Sequence, residues 1–251
     1  MNNSHENYLK RIADALDRIS PPPLILSNLD KSNIYQWSPN PDILLPINNN
    51  SVLALDLLVG VNCNKDKIYS NTFQFAKGFP ANNILLWGAR GTGKSSLIKS
   101  VHSKISNTFS SLKLIQIQKE DISSFNRLIS ILEKIRKDYR FIVFCDDLTF
   151  SDENEDYKTL KVLLDGGLLE KPKNIVFYCT SNRKHLIPRE MYENTLSSSI
   201  SPAEVIEEKV SLSDRFGLIL GFYPISQEQY LEMVIKYIKH FKIPIKKEQI
   251  I

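Results

Sequence analysis

Gly88-Ala89-Arg90-Gly91-Thr92-Gly93-Lys94-Ser95 follows directly on the apolar run Asn83-Ile84-Leu85-Leu86-Trp87, and this pairing decides the fold. The octet is a complete GxxxxGK(S/T) pattern placed after a strand and before a helix. From average composition, a chance match in a chain of this length is on the order of one per cent. The glycines let the backbone wrap with its N–H groups pointing inward, and the start of the next helix adds positive potential for phosphates. Lys94 is expected to reach the β- and γ-phosphates of a nucleoside triphosphate, and Ser95 to offer its hydroxyl to Mg²⁺. The predicted phosphate-binding stretch comprises Gly88, Ala89, Arg90, Gly91, Thr92, Gly93, Lys94, Ser95 and Ser96.

Outward from the loop, short apolar runs alternate with helical stretches. The runs are Ile84–Trp87, Leu112–Ile117, Phe141–Cys145, Ile175–Cys179 and Leu218–Phe222, with helices expected at about 65–77, 94–106, 121–137 and 155–165. Strands that are apolar without alternation fit a parallel sheet covered on both faces. The predicted fold is α/β, a three-layer sandwich around a parallel five-stranded sheet.

The second chemical element is Arg140-Phe141-Ile142-Val143-Phe144-Cys145-Asp146-Asp147, an apolar strand ending in two carboxylates. Beside a phosphate loop, one such acid holds the hydrated magnesium and the next polarises the attacking water. Asp146 is assigned to the metal, with Ser95, and Asp147 to the water. The third is Asn174–Arg183, a strand ending in polar residues, where Asn182 is placed to hydrogen-bond the γ-phosphate or the lytic water. The fourth is Leu212-Ser213-Asp214-Arg215-Phe216-Gly217. Arg215 has two readings: a guanidinium delivered to the γ-phosphate of a neighbouring subunit, or an intramolecular ion pair. The predicted catalytic set is therefore Lys94, Asp147, Asn182 and Arg215.

The ends are organised differently. Leu9, Ile12, Ala13, Leu16 and Ile19 lie at helical spacing before Pro21-Pro22-Pro23, which predicts an amphipathic helix docked on the core or serving as a partner-binding arm. Residues 24–50, with Pro39, Pro41, Pro46 and Asn48-Asn49-Asn50, are expected to form an irregular wrap. Ser226–Phe241 resumes helical periodicity with Ser226 as N-cap and is expected to begin a helical lid. This divides the chain into an extension over 1–50, a nucleotide-binding core over 51–225 and a lid over 226–251. The acidic stretch 151–156 is expected to be a solvated loop at a helix start, and His185 to be satisfied locally.

Composition sets the limits. The chain has 251 residues, 42% of them hydrophobic, and 32 basic against 28 acidic side chains give a net charge of +4. That balance does not identify a nucleic-acid binder, so DNA is left open as a partner without support. Cys63, Cys145 and Cys179 show no paired spacing and are expected to be buried thiols in strands. The charged N-terminus does not resemble a signal peptide, and no apolar run is long enough for a membrane span. A cytoplasmic setting is expected.

Pro80-Ala81-Asn82-Asn83, the loop through Ser96, Cys145–Phe150, Tyr157-Lys158, Leu164-Asp165-Gly166-Gly167, Thr180–Leu186 and Leu212–Leu218 together resemble the bacterial AAA+ family catalogued as domain of unknown function 815. The resemblance covers about residues 50–240. It implies an AAA+ P-loop fold with strand order 5-1-4-3-2, ATP as ligand, and a place near the helicase-loader and replication-initiator ATPases. Members resemble other AAA+ proteins in continuing into a lid with a second sensor arginine, whereas Lys246–Ile251 carries none, so a curtailed lid is expected. The implied function is an ATPase that remodels or loads a protein or nucleoprotein partner, as a homo-oligomer with shared active sites. The alternative is a nucleotide-gated binding module with negligible turnover, suggested by Asp147, where many relatives of this architecture carry glutamate, and by the missing lid.

Overall fold

The computed structural model describes residues 29–47, 52–135, 138–149, 172–184 and 212–244, together with Tyr8, Arg11, Ile12, Ala15, Leu160, Lys161 and Leu164. In chain order the elements are β1 (Ile34–Pro39), β2 (Asp42–Pro46), α1 (Asn62–Ala76), β3 (Ile84–Gly88), α2 (Lys94–Ser106), β4 (Leu112–Ile117), α3 (Phe125–Lys134), β5 (Arg140–Cys145), β6 (Ile175–Ser181), β7 (Leu218–Phe222) and α4 (Gln227–Phe241). Of the expected N-terminal helix, Tyr8, Arg11, Ile12 and Ala15 are helical. The rest of that segment, the acidic stretch 151–156, most of the helix expected at 155–165, and His185 lie outside the described residues.

One sheet runs through the molecule in the order β2-β1-β4-β5-β6-β3-β7. The five expected strands stand as β7-β3-β6-β5-β4, the implied 5-1-4-3-2 arrangement, and all their contacts are parallel. Consecutive residues of these strands bury into opposite faces. Leu85, Phe141, Val143, Ile175 and Phe177 join one core cluster with Phe125, Leu128 and Leu132 of α3. Ile84, Leu86, Ile142, Phe144, Val176 and Tyr178 join the other with Ile68 and Phe75 of α1 and Leu97, Val101 and Ile105 of α2. Continuous apolarity thus reflects two covered faces, the sandwich the sequence predicts. Each such side chain taken out of water stabilises the fold by about 1.5–3 kcal/mol before entropy is subtracted.

The sheet has seven strands, which corrects the expected five, and residues 34–46 are not an irregular wrap. β1 pairs in parallel with β4 and antiparallel with β2. The prolines suggested a loop, but Pro39 and Pro46 sit at strand ends, in an outermost pair that can spare an N–H. β1 is also anchored from within. Trp37 is fully buried, and its Nε1 donates to Ser124 Oγ at 2.7 Å. The cysteine expectation is corrected at one position: Cys145 and Cys179 are buried strand thiols, whereas Cys63 is exposed on the first turn of α1.

Polar contacts fix the strands that carry the phosphate loop. Asn83, just before β3, accepts the Phe177 N–H on its side chain at 3.0 Å and the Leu218 N–H on its carbonyl at 3.1 Å, bridging to β6 and β7. Tyr178 on β6 has its hydroxyl 2.8 Å from Thr72 Oγ1 and 3.1 Å from the donating Asn71 Nδ2. These bonds tie α1 to the centre of the sheet. Among the described residues, no helix is long and apolar enough to cross a membrane.

Candidate nucleotide-binding site

β3 delivers the loop at its carboxyl end. Gly88 has φ +144, and a Cβ there would collide with the carbonyl oxygen of Phe222 on β7, so glycine is required by both conformation and space. Gly91 and Gly93 have φ of +77 and +86, and Gly93 is the N-cap of α2. These left-handed steps turn the chain so that successive amides face one concavity, at the positive end of α2. Thr92 Oγ1 closes the turn on Ala89 O at 2.8 Å.

Lys94 enters the same concavity. Its Nζ donates to Gly88 O and Ala89 O, each at 2.7 Å, and only 7% of the residue is exposed. Burial lowers its pKa from the ordinary lysine value, Asp147 and Asp146 act to raise it, and Arg90 adds to the lowering. The ammonium is thereby held among the carbonyls of the loop.

The two acids follow β5 at its carboxyl end, one strand beyond β6. Thr180 on β6 sorts them. Its Oγ1 donates to Asp146 Oδ1 at 2.5 Å and accepts from the Asp147 N–H at 2.8 Å. Asp147 has φ +54, an unusual conformation for a side-chain-bearing residue that aspartate tolerates better than most. The turn gives the neighbouring carboxylates different partners. Asp146 Oδ1 also accepts from Ser95 Oγ at 2.5 Å; Asp147 Oδ1 accepts from Asn182 Nδ2 at 2.7 Å and its Oδ2 from Arg90 Nη2 at 3.2 Å.

A magnesium ion fits this donor set. The ion takes hard oxygens and keeps most of its water, so one carboxylate, one hydroxyl and substrate phosphates suffice. Ser95 Oγ and Asp146 Oδ1 supply that oxygen pair. Among the described residues, no group of three or more His, Cys, Asp or Glu side chains forms an all-protein metal cage.

Beside the loop opens a cleft of about 540 Å³, within the range of small-ligand sites. Ala89 to Gly93 and Ser96 of the loop line it together with the apolar residues Val59, Val61, Pro224, Ile225, Met233 and Tyr237. The last two come from α4, which starts as predicted at Ser226 with a full capping box: Ser226 Oγ accepts from the Gln229 N–H at 3.2 Å, and Gln229 Oε1 from the Ser226 N–H at 3.0 Å.

The structure therefore gathers residues 88–96, Asp146, Asp147 and Asn182 at one end of the sheet. It does not bring Arg215 to them. Arg215 ends a helical turn at residues 212–215 held by buried Leu212 and Phe216, ahead of the first residue of β7. β7 runs parallel to β3, so Arg215 and the loop of the same chain lie at opposite ends, separated by at least a strand length of roughly 13 Å. The sequence reading assigned no role to Thr180 or to the apolar wall. The Cys179-Thr180-Ser181 strand end offered a signal for Thr180, since a hydroxyl beside an acidic turn is a ready partner. The wall assembles from segments more than 160 positions apart and left no local signal.

The family model described as a protein of unknown function, DUF815, matches residues 30–251. The chain belongs to that family. No curated protein sequence matches the DUF815 chain. Among solved structures, a RuvB variant from Thermotoga maritima is similar at 16% identity and a TM-score of 0.52, over 77% of this chain and 55% of that one. Domain III of the replication initiation protein DnaA from Thermotoga maritima is similar at 18% identity and a TM-score of 0.52, over 80% and 79%. A replication initiator DnaA bound to AMPPCP and single-stranded DNA is similar at 15% identity and 0.53, over 80% and 59%. The DUF815 chain thus spans about half the length of the RuvB chain, and these likenesses show an AAA+ P-loop fold.

Proposed function

We infer that this DUF815 protein binds ATP with magnesium in the cleft and hydrolyses it, coupling turnover to the remodelling or loading of a protein or nucleoprotein partner. The observation that carries the reading is convergence: a glycine-shaped loop, a buried lysine, a hydroxyl–carboxylate pair and a second carboxylate held by an amide meet at one sheet end. A DnaA neighbour that holds AMPPCP on the same fold supports it.

In this reading the amides at the start of α2 and Lys94 bind the β- and γ-phosphates, and Ser95 with Asp146 holds the ion. The ion would supply positive charge that offsets the charge of the phosphates. Asn182 and Asp147 orient a water for in-line attack on the γ-phosphorus, and Asp147 accepts its proton. The bond from that phosphorus to the β,γ-bridging oxygen breaks, and ADP leaves with the electron pair. The apolar wall with Tyr237 seats the base. Arg215, remote from its own loop, serves a neighbouring copy, which makes a homo-oligomer with shared sites the working form. The cytoplasm, where thiols stay reduced, is the inferred compartment.

Calorimetry with Mg·ATP tests binding: wild type gives a saturable heat, and Lys94→Ala weakens it roughly 10- to 100-fold, the worth of one charge-assisted contact. Phosphate release tests turnover. Asp147→Asn and Arg215→Ala abolish multiple turnovers, and the rate per subunit rises with protein concentration. The alternative, an ATP switch with negligible turnover, is favoured by the hold of Arg90 and Asn182 on both oxygens of Asp147. Multiple turnovers that need Arg215 exclude that version. Adding single-stranded DNA across a salt series tests a nucleic-acid partner, since phosphate contacts impose a steep salt dependence.

A further inference from the structure

We propose that Arg90 is the residue that distinguishes a triphosphate from a diphosphate, by exchanging Asp147 for the terminal phosphate. The proposal rests on the ATP reading above and adds to it a specificity-determining side chain. Arg90 is the third residue of the phosphate loop, lines the cleft, and reaches across to Asp147 Oδ2 at 3.2 Å. It is thus the loop's own link to the acid that faces the attacking water.

The two partners are not equally free to move. Asp147 is fixed from three sides: its N–H donates to Thr180 Oγ1, its Oδ1 accepts from Asn182, and its backbone sits at φ +54. Arg90 is fixed by none of these, and 82% of its side chain is exposed against 49% for Asp147. An ion pair this open to water is weak, so the guanidinium leaves it at little cost. Asp147 then stays in place with Oδ2 turned toward the loop.

Charge and geometry select the terminal phosphate as the rival acceptor. The start of α2 and Lys94 bind the β-phosphate and one side of the γ-phosphate, which leaves γ-phosphate oxygens for a second cation. The outermost phosphate lies toward Asp146 and Asp147, within reach of Arg90. A phosphate with two negative charges and three acceptor oxygens fits the guanidinium fork better than a carboxylate already bonded to Asn182. A diphosphate offers nothing at that position, and Arg90 remains on Asp147. Loop occupancy by a triphosphate thereby uncovers the Asp147 oxygen that a water would use.

Calorimetry with magnesium and either β,γ-methylene ATP or ADP tests this without turnover, on wild type, Arg90→Ala, Asp147→Asn and the double variant. Asparagine tolerates the left-handed backbone of position 147, and thermal unfolding checks that each variant is folded. Arg90→Ala is expected to weaken the methylene analogue about 10-fold, the lower end for a charge-assisted contact, and to leave ADP within two-fold. Asp147→Asn is expected to tighten the analogue about two- to five-fold more when Arg90 is present than in the Arg90→Ala background, since the competing pair is then gone. Arg90→Lys, which keeps the charge but lacks the fork, recovers part of the discrimination. Equal weakening of both nucleotides by Arg90→Ala, or equal tightening by Asp147→Asn in both backgrounds, overturns the proposal while leaving ATP binding intact. Absence of heat from wild type with either nucleotide overturns the ATP reading itself.

Discussion

His102 gives a pH dependence that can be worked from its surroundings. It lies on α2, the helix that begins at the phosphate loop, and is fully buried. Nε2 sits 3.3 Å from Leu112 O, and Nδ1 has no hydrogen-bond partner. Burial lowers its pKa from 6.5 to about 4; the Leu112 carbonyl opposes this, and Lys113 adds to it. Between those values the unfolded chain carries a proton that the folded chain refuses. Stability is therefore complete above the unfolded pKa and falls as pH drops through it, levelling off below the folded one. At about 1.4 kcal/mol per pKa unit, the loss reaches roughly 2 kcal/mol at pH 5 and about 3 kcal/mol below pH 4. Urea unfolding of wild type and His102→Leu at pH 7 and pH 5 isolates the effect, because the other titrating groups cancel between them. Wild type should lose about 2 kcal/mol more than the variant over that interval. Parallel losses in the two proteins would refute the assignment of a neutral, buried imidazole.

Three further outcomes test the frame around the site. Gly88→Ala forces a Cβ onto the Phe222 carbonyl at φ +144; it should lower stability by roughly 3 kcal/mol in denaturant unfolding and separate β7 from β3. Trp37→Phe removes the indole N–H from Ser124 and should cost about 1–3 kcal/mol, while Trp37→Ala should cost about 3–5 kcal/mol; a neutral alanine variant would show that β1 is not part of the core. Tyr178→Phe leaves Thr72 and Asn71 facing a ring without a hydroxyl and should cost about 1–3 kcal/mol by thermal or chemical unfolding.

The convergence at the sheet end explains why adjacent acids have different partners. Asp146 and Asp147 leave β5 together, yet the left-handed step at Asp147 sends one carboxylate to Ser95 and the other to Arg90 and Asn182. Thr180 contacts both and fixes their separation. A change at position 180 should therefore disturb the placement of both carboxylates together.

Sequence by itself determined the loop, the helix it opens and the five central strands, because their signals are local. GxxxxGK(S/T) needs its glycines at fixed positions, and a strand covered on both faces is apolar along most of its length. The N-cap at Ser226 was legible for the same reason, as its bond from the Gln229 N–H closes within four residues. Tertiary structure alone decided the outer pair β2 and β1, the aromatic and aliphatic wall of the cleft, and the link between Arg90 and Asp147. Pro39 and Pro46 argued locally against strands, and only the edge place of β2 and the end of β1 beyond its pairing with β4 make a missing N–H tolerable. Val61 and Tyr237 line one cleft, and Arg90 pairs with Asp147 because β3 and β5 end at the same edge, and no window of sequence contains that edge.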